Sequence, residues 1–91
     1  MSSIVRVGDS NNGGGVVLNT PQSTFKVNNK LVSVSGSVGS DHGSGNHGQG
    51  SWATVSKQST FNVGGILADV VGGSDTCGHV RSEGSADFNI F

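Results

Sequence analysis

Apolar residues in this chain come in short β-branched runs, broken by polar residues or glycines before any run reaches helical length. No window sustains a 3.6-residue period, so almost no helix is expected. Runs of Val and Ile bounded by Gly, Asn and Asp predict strands joined by tight turns. The predicted strands are Ile4 to Val7, Val16 to Leu18, Ser23 to Val27, Lys30 to Val34, Trp52 to Val55, Ser59 to Val63, Ile66 to Val71 and Ala86 to Phe91. Asn28-Asn29 reads as a type I′ hairpin turn between two of them.

The pattern repeats. Ser23-Thr24-Phe25-Lys26-Val27 returns as Ser59-Thr60-Phe61-Asn62-Val63, and Ala86-Asp87-Phe88-Asn89-Ile90 is a third version. Gly64-Gly65 stands where Asn28-Asn29 stood, and Trp52 to Val55 takes the place of Val16 to Leu18. Each copy runs through a return strand, a glycine-rich turn, a short strand, a corner and a strand centred on Phe. The copies begin near Val5, Val32 and Leu67. Such self-similarity predicts a shared architecture. A solenoid would keep a fixed period, whereas the middle turn, Gly36 to Gly50, is lengthened. Closure around a pseudo-threefold axis is therefore expected, with equivalent turns gathered at one end and Phe25, Phe61 and Phe88 as equivalent core anchors. The fold class is all-β.

Composition narrows the means of support. Ninety-one residues, 32% of them hydrophobic, make one domain (1–91) with a limited core. A single cysteine excludes an internal disulfide, which leaves a metal or a partner as the staple. Sixteen glycines could signal disorder, but the β-branched runs and a net charge of −1 argue for a folded β protein. Charged residues at 12% offer little to a phosphate backbone, so no nucleic-acid partner is expected. No apolar run approaches the roughly 20 residues of a membrane span. Met1 to Asp9 lacks the basic and apolar regions of a signal peptide. The protein stays where it is made, or a machine that reads no signal peptide exports it.

The chain's soft-metal ligands fall in two turns: His42 and His47 in Asp41-His42-Gly43-Ser44-Gly45-Asn46-His47, and Cys77 and His79 in Asp75-Thr76-Cys77-Gly78-His79. Three imidazoles and one thiolate make a full tetrahedral set for zinc. The spacing is not among the strong zinc signatures, and a lone thiol with scattered surface histidines is the alternative. Residues two apart on an extended strand point the same way, so Cys77 and His79 can reach one ion. Asn12 or Asp75 are the alternatives to His79 as fourth ligand, a site with only three protein ligands being the other. A closed site leaves no position for an activated water, which makes the ion structural. Two other function classes stay in view. A metal-dependent hydrolase would use His42 or His79 with Asp41 or Asp75 and would need an open site and a pocket. A carbohydrate- or receptor-binding β module would stack its ligand on Trp52, whose plainer role is to pack inward beside Val55. No Gly-x-Ser-x-Gly elbow occurs, which argues against a serine triad. Asp9, Asp41 and Asp75 all fall in turns, where Asx-type bonds are their expected role ahead of calcium binding.

Several motifs in order resemble PAAR-repeat proteins over nearly the whole chain. Phe25-Lys26-Val27-Asn28-Asn29-Lys30 resembles the family's Phe-x-Val-Asn-Gly-Lys hairpin, and Val7-Gly8-Asp9-Ser10 its Val-Gly-Asp turn. Ser40-Asp41-His42-Gly43-Ser44 and Asp75-Thr76-Cys77-Gly78 resemble its His- and Cys-bearing turns. The resemblance implies a small conical β protein that caps a trimeric β-helical spike, VgrG-like or a phage central spike. It implies a non-enzymatic, membrane-piercing tip in a contractile phage tail or a type VI secretion system, touching the target membrane transiently. It implies one apical structural zinc, with His42 and His47 as the middle-turn histidines and Cys77 as the late cysteine. The protein alone would be a monomer, in a phage virion or exported by the secretion system. The Pro-Ala-Ala-Arg letters are absent, with Leu31-Val32-Ser33-Val34 and Leu67-Ala68-Asp69-Val70 in their place. The first turn reads Asn11-Asn12-Gly13-Gly14 where the family usually has a histidine, and His79 is the expected replacement. With no toxin region after Phe91, a bare tip is expected.

Overall fold

The structure, a computed structural model, describes residues 2–90, and Ser2 and Ile90 by their backbone only. Phe91, the last residue of the predicted third Phe strand, lies outside the described residues. The chain is nearly all β. Its strands are β1 (Ser2–Ser3), β2 (Val17–Asn19), β3 (Lys26–Val27), β4 (Lys30–Leu31), β5 (Val38–Gly39), β6 (Asn62–Val63), β7 (Ile66–Leu67) and β8 (Asn89–Ile90). One turn of 3₁₀ helix, Gly45–His47, is the sole helical piece among the described residues.

Regular pairing is shorter than the sequence predicts, because each extended run changes partner along its length. Lys30 and Leu31 pair antiparallel with Val27 and Lys26 in their own hairpin. The same run then meets other copies, with Val32 opposite Arg6 and Val34 opposite Ala68. Ile4 opposite Val70 completes the circuit. The predicted strands Ile4 to Val7 and Trp52 to Val55 are likewise reduced to isolated bridges, at Ile4, Arg6 and Ala53.

Backbone hydrogen bonds close the three copies into a ring. Ser33 N donates to Val5 O, Asp69 N to Ser33 O and Val5 N to Asp69 O, at 2.9, 2.9 and 3.0 Å. A parallel circuit runs from Val7 to Leu31, Ser35 to Leu67 and Val71 to Ser3, at 2.8, 2.8 and 2.9 Å. These bonds align Ile4, Val32 and Ala68 as equivalent, within one residue of the starts read from sequence. The pseudo-threefold closure expected from the lengthened middle turn is thus present.

Hairpin chemistry repeats around this axis. Asn28 and Asn29 have φ of 55° and 65°, and Gly64 and Gly65 have 61° and 84°. Both pairs satisfy the type I′ requirement for two positive φ angles. The β1–β8 pair, Ser2 with Ile90 and Ser3 with Asn89, takes the third hairpin's place. The corners repeat too. Gln22 accepts from the backbone of Thr24 and Phe25 and donates to the carbonyls of Phe25 and Val32. Gln58 does the same for Thr60, Phe61 and Ala68. One buried amide thereby satisfies several backbone groups at the point where the chain turns.

The core lies on one face of the ring. Ile4, Val32, Val34, Ala68 and Val70 are fully buried and pack with Val27 and Val63. Phe25, Phe61 and Phe88 close this cluster as a triangle with centroids 6.0–6.1 Å apart, one pair stacked and two edge-on. Such pairs add about 0.5–1.5 kcal/mol each beyond area burial. Arg6 occupies the position of Val34 and Val70. Its charge is met by Asp9, with two side-chain bonds of 2.9 Å, and by Asn28 at 3.0 Å. Strand alternation turns Val5, Ser33 and Asp69 to the opposite face.

Candidate metal centre

On that opposite face a polar layer separates the ring from the glycine-rich turns. Asp69 is fully buried and accepts from Ser33 Oγ at 2.5 Å. Asp75 is buried beside Asn11, which donates to it at 2.7 Å, and pairs with Arg81 at 2.9 Å. The fully buried Arg81 guanidinium also donates to the carbonyls of Asp9 and Gly15. It lies 5.3 Å from the centre of the Trp52 ring. Burial pushes the Asp69 carboxyl above its ordinary range, against the pull of Ser33, Thr54 and Arg81. Burial likewise pushes Asp75 up, outweighing Asn11 and Arg81.

An acid raised by folding keeps its proton to higher pH in the folded state than in the unfolded chain. Its contribution is therefore complete at acid pH and is lost as pH rises from the ordinary carboxylate range through the raised value. Asp69→Asn is expected to raise the melting temperature at pH 7 by several degrees, where 1 kcal/mol corresponds to about 4–8 °C. It should also flatten the decline as pH rises from about 4, the ordinary carboxylate range. Thermal melts from that pH upward check both. A lower melting temperature at pH 7 would show that the carboxylate is stabilising instead.

Beyond this layer the two ligand-bearing turns converge. One ring nitrogen from each of His42, His47 and His79 and the sulfur of Cys77 all lie within 4.8 Å of one another, and all four residues are half-buried. His42 Nε2 is 2.9 Å from His79 Nδ1 and 3.3 Å from His47 Nδ1. Cys77 Sγ is 3.7 Å from His42 Nε2 and 3.8 Å from His79 Nδ1. Zinc bonds of about 2.0–2.1 Å to nitrogen and 2.3 Å to sulfur put the corners of a tetrahedron about 3.3–3.6 Å apart. The four separations through His42 and Cys77, 2.9, 3.3, 3.7 and 3.8 Å, come within about 0.5 Å of those edges. It can hold one metal ion.

All four side chains singled out by sequence meet here, His79 included. The alternatives for the fourth position are engaged elsewhere. Asn12 Oδ1 accepts from Val80 N at 3.0 Å, and Asp75 faces Arg81 and Asn11. Asp75 was expected to make an Asx-type turn bond. Its carboxylate turns inward instead, because Arg81 is buried beside it and needs an anion. Asp41 does accept from Gly43 N at 3.2 Å, and in the first turn Asn11 accepts from Gly13 and Gly15. The His/Cys cluster is the one such group among the described residues, which leaves Asp41 and Asp75 apart as calcium ligands.

The turns hold the ligands by local means. His47 sits in the 3₁₀ turn, and His42 N donates to His47 O at 2.9 Å, closing the loop between them. Asp75 N donates to His79 O and Gly78 N to Asp75 O, at 2.7 and 2.9 Å. The first turn supplies no ligand but makes room. A Cβ at Gly13 would collide with the His79 ring. His79 therefore packs against the first turn, Asn11 to Gly14, which itself carries no histidine. Trp52 is 2% exposed, so it packs inward and offers no stacking face to a sugar.

Sequence reading missed the Asp69–Asp75–Arg81 layer. A signal was available. The register aligns Arg81 with Thr54 and Val17, both buried, through Arg81 N to Gly73 O, Thr54 N to Ser37 O and Val17 N to Asp9 O. Carrying the repeat through the third short strand would have flagged an arginine at a buried position.

No protein-family model matches the chain, and no curated protein matches it. No helix among the described residues is long and apolar enough to cross a membrane.

Proposed function

We propose that this chain is the metal-stapled tip of a membrane-piercing spike, a PAAR-like cap on a trimeric β-helical spike protein of a contractile phage tail or type VI secretion system. The observation that carries the reading is polarity along one pseudo-threefold axis. His42, His47, Cys77 and His79 gather beyond one face of the hydrogen-bonded ring, and the Phe25–Phe61–Phe88 triangle closes the other. A single chain with three similar faces can sit on a trimer without being one. The sequence motifs point the same way.

The role is structural rather than catalytic. The ion would be zinc, held by three imidazoles and a thiolate, and four protein ligands leave it no open position for water. What the residues do is lock two long turns at a point too small for an apolar core. Structural zinc contributes roughly 10–16 kcal/mol of apparent binding free energy in small peptides. At the other end the partly buried phenylalanines would be covered by the spike. The protein alone would be a monomer, carried in the virion or exported with the spike.

The test is stoichiometry. The chain is mixed with each β-helical spike protein encoded in the same genome, and native mass spectrometry reads the complexes. One copy per spike trimer, lost in Phe25→Asp or Phe61→Asp protein that keeps its metal, is the expected result. No complex with any such trimer, or three copies per trimer, would sink the proposal.

A further inference from the structure

The ligand cluster presents its nitrogens unevenly. His47 and His79 offer Nδ1, but His42 offers Nε2. The Nδ1 of His42 faces the carbonyl oxygen of Ser40 at 3.1 Å. A carbonyl only accepts, so Nδ1 carries the proton and Nε2 keeps its lone pair for the cluster. The same Ser40 oxygen accepts a second hydrogen bond, from the indole Nε1 of Trp52 at 3.0 Å. Among the described residues that is the one hydrogen bond the buried indole makes. The Trp52 and His42 rings meet edge to face, with centroids 5.2 Å apart and planes at 87°.

The surroundings are shaped to this contact. A Cβ at Gly39 would overlap the Trp52 ring, and one at Gly15 would press on both Trp52 and His42. Arg81 lies over the indole, its charge centre 5.3 Å from the ring centre. In the pseudo-threefold register, counted back from Val17, Thr54 and Arg81, the Trp52 position corresponds to Gly15 and His79. One copy thus places a ligand there, one leaves space, and one places an indole aimed at the carbonyl that holds a ligand.

We infer that Trp52 is a positioning residue for the metal centre: its indole N–H anchors the Ser40 carbonyl, which in turn fixes the tautomer and ring plane of His42. The role rests on the metal reading above, since it matters only if His42 Nε2 is a ligand. Outer-shell partners of this kind set ligand orientation, and losing one typically costs about 10–100-fold in metal affinity. An apolar residue of similar size would fill the space between Gly15 and Gly39 but would leave Ser40 O with a single donor and free to rotate away.

The experiment uses the full chain as wild type, as Trp52→Phe, and with β-(3-benzothienyl)alanine at position 52. The last keeps the bicyclic shape and replaces N–H by sulfur, so it stays informative if the Phe protein folds poorly. Long-range ¹H–¹⁵N imidazole spectra of the metal-free proteins at pH 8 read the His42 tautomer. Chelator competition with Zn²⁺ and Co²⁺ reads affinity, and the Co²⁺ visible bands read ligand geometry. In wild type we expect His42 protonated at Nδ1. In both variants we expect a tautomer mixture, shifted Co²⁺ bands and affinity lower by about 10–100-fold. A variant that keeps the single tautomer, the bands and the wild-type affinity would overturn the inference. Wild-type protein that takes up neither ion would overturn the metal reading instead, and the tautomer spectra would still judge the Trp52–Ser40–His42 link.

Discussion

Cys77→Ser protein should leave purification without its metal and melt about 15 °C or more below wild type. The scale follows from a loss of several kcal/mol in a domain where each corresponds to about 4–8 °C. Sulfur is the one soft donor in the cluster, 3.7 and 3.8 Å from two of the imidazole nitrogens. A serine hydroxyl is nearly isosteric but stays protonated near neutral pH and is a poor zinc ligand. The remaining three imidazoles would hold an ion far more weakly. Without it the 3₁₀ turn that ends at His47 has no buried residue to order it, and His42 keeps its edge-on contact with Trp52. Elemental analysis should fall from about one metal per chain to a small fraction, and a strong chelator should lower the wild-type melting temperature to that of the variant. Retention of metal at wild-type stoichiometry would remove the thiolate from the site. A chelated protein that melts where the loaded one does would remove the ion from the fold's stability altogether.

Arg81→Met should destabilise the protein by about 3–5 kcal/mol, since removing one partner of a buried ion pair strands the other charge. Arg81 and Asp75 are 2.9 Å apart with both side chains fully buried. Two carbonyls, of Asp9 and Gly15, would each lose one of two donors at the same time, keeping the bonds from Val17 N and Asn11 N. Methionine fills most of the volume, so the loss reports charge and hydrogen bonding rather than a cavity. Asp75→Asn in the same protein should recover much of the deficit, because no buried charge is then left alone, while the two carbonyls keep the recovery incomplete. Urea titration of the single and double variants gives the coupling directly. A loss under about 1 kcal/mol for Arg81→Met would mean that the pair is solvated in the folded protein.

How much of this could be read from the chain depended on whether a residue obeyed the repeat. The Phe-centred strands, the Asn28-Asn29 turn and its Gly64-Gly65 counterpart were legible because each copy writes them in nearly the same letters. The ligand set was legible because His and Cys are so few and fall in two turns. What escaped were positions where one copy departs from the others: Arg6 in place of Val34 and Val70, Asp69 in place of Ser33 and Val5, Arg81 in place of Thr54 and Val17. Each puts an ionisable group at a site whose equivalents have none, and only packing shows what meets it. Strand lengths were overestimated for a related reason. Period-two alternation in Lys30 to Val34 correctly marks an extended run, but it carries no information about how often that run changes neighbours.

The ring of bonds through Val5, Ser33 and Asp69 has a mechanical side. A row of stacked repeats always has an outermost member, which frays first and must be capped. A closed circuit has none, since every member is held from both sides. A thrust along the axis would press the three extended runs through Val5, Ser33 and Asp69 against each other rather than prise one away. Such a body should behave less like a zipper than like the keystone course of a dome, tightening under load until it gives way all at once.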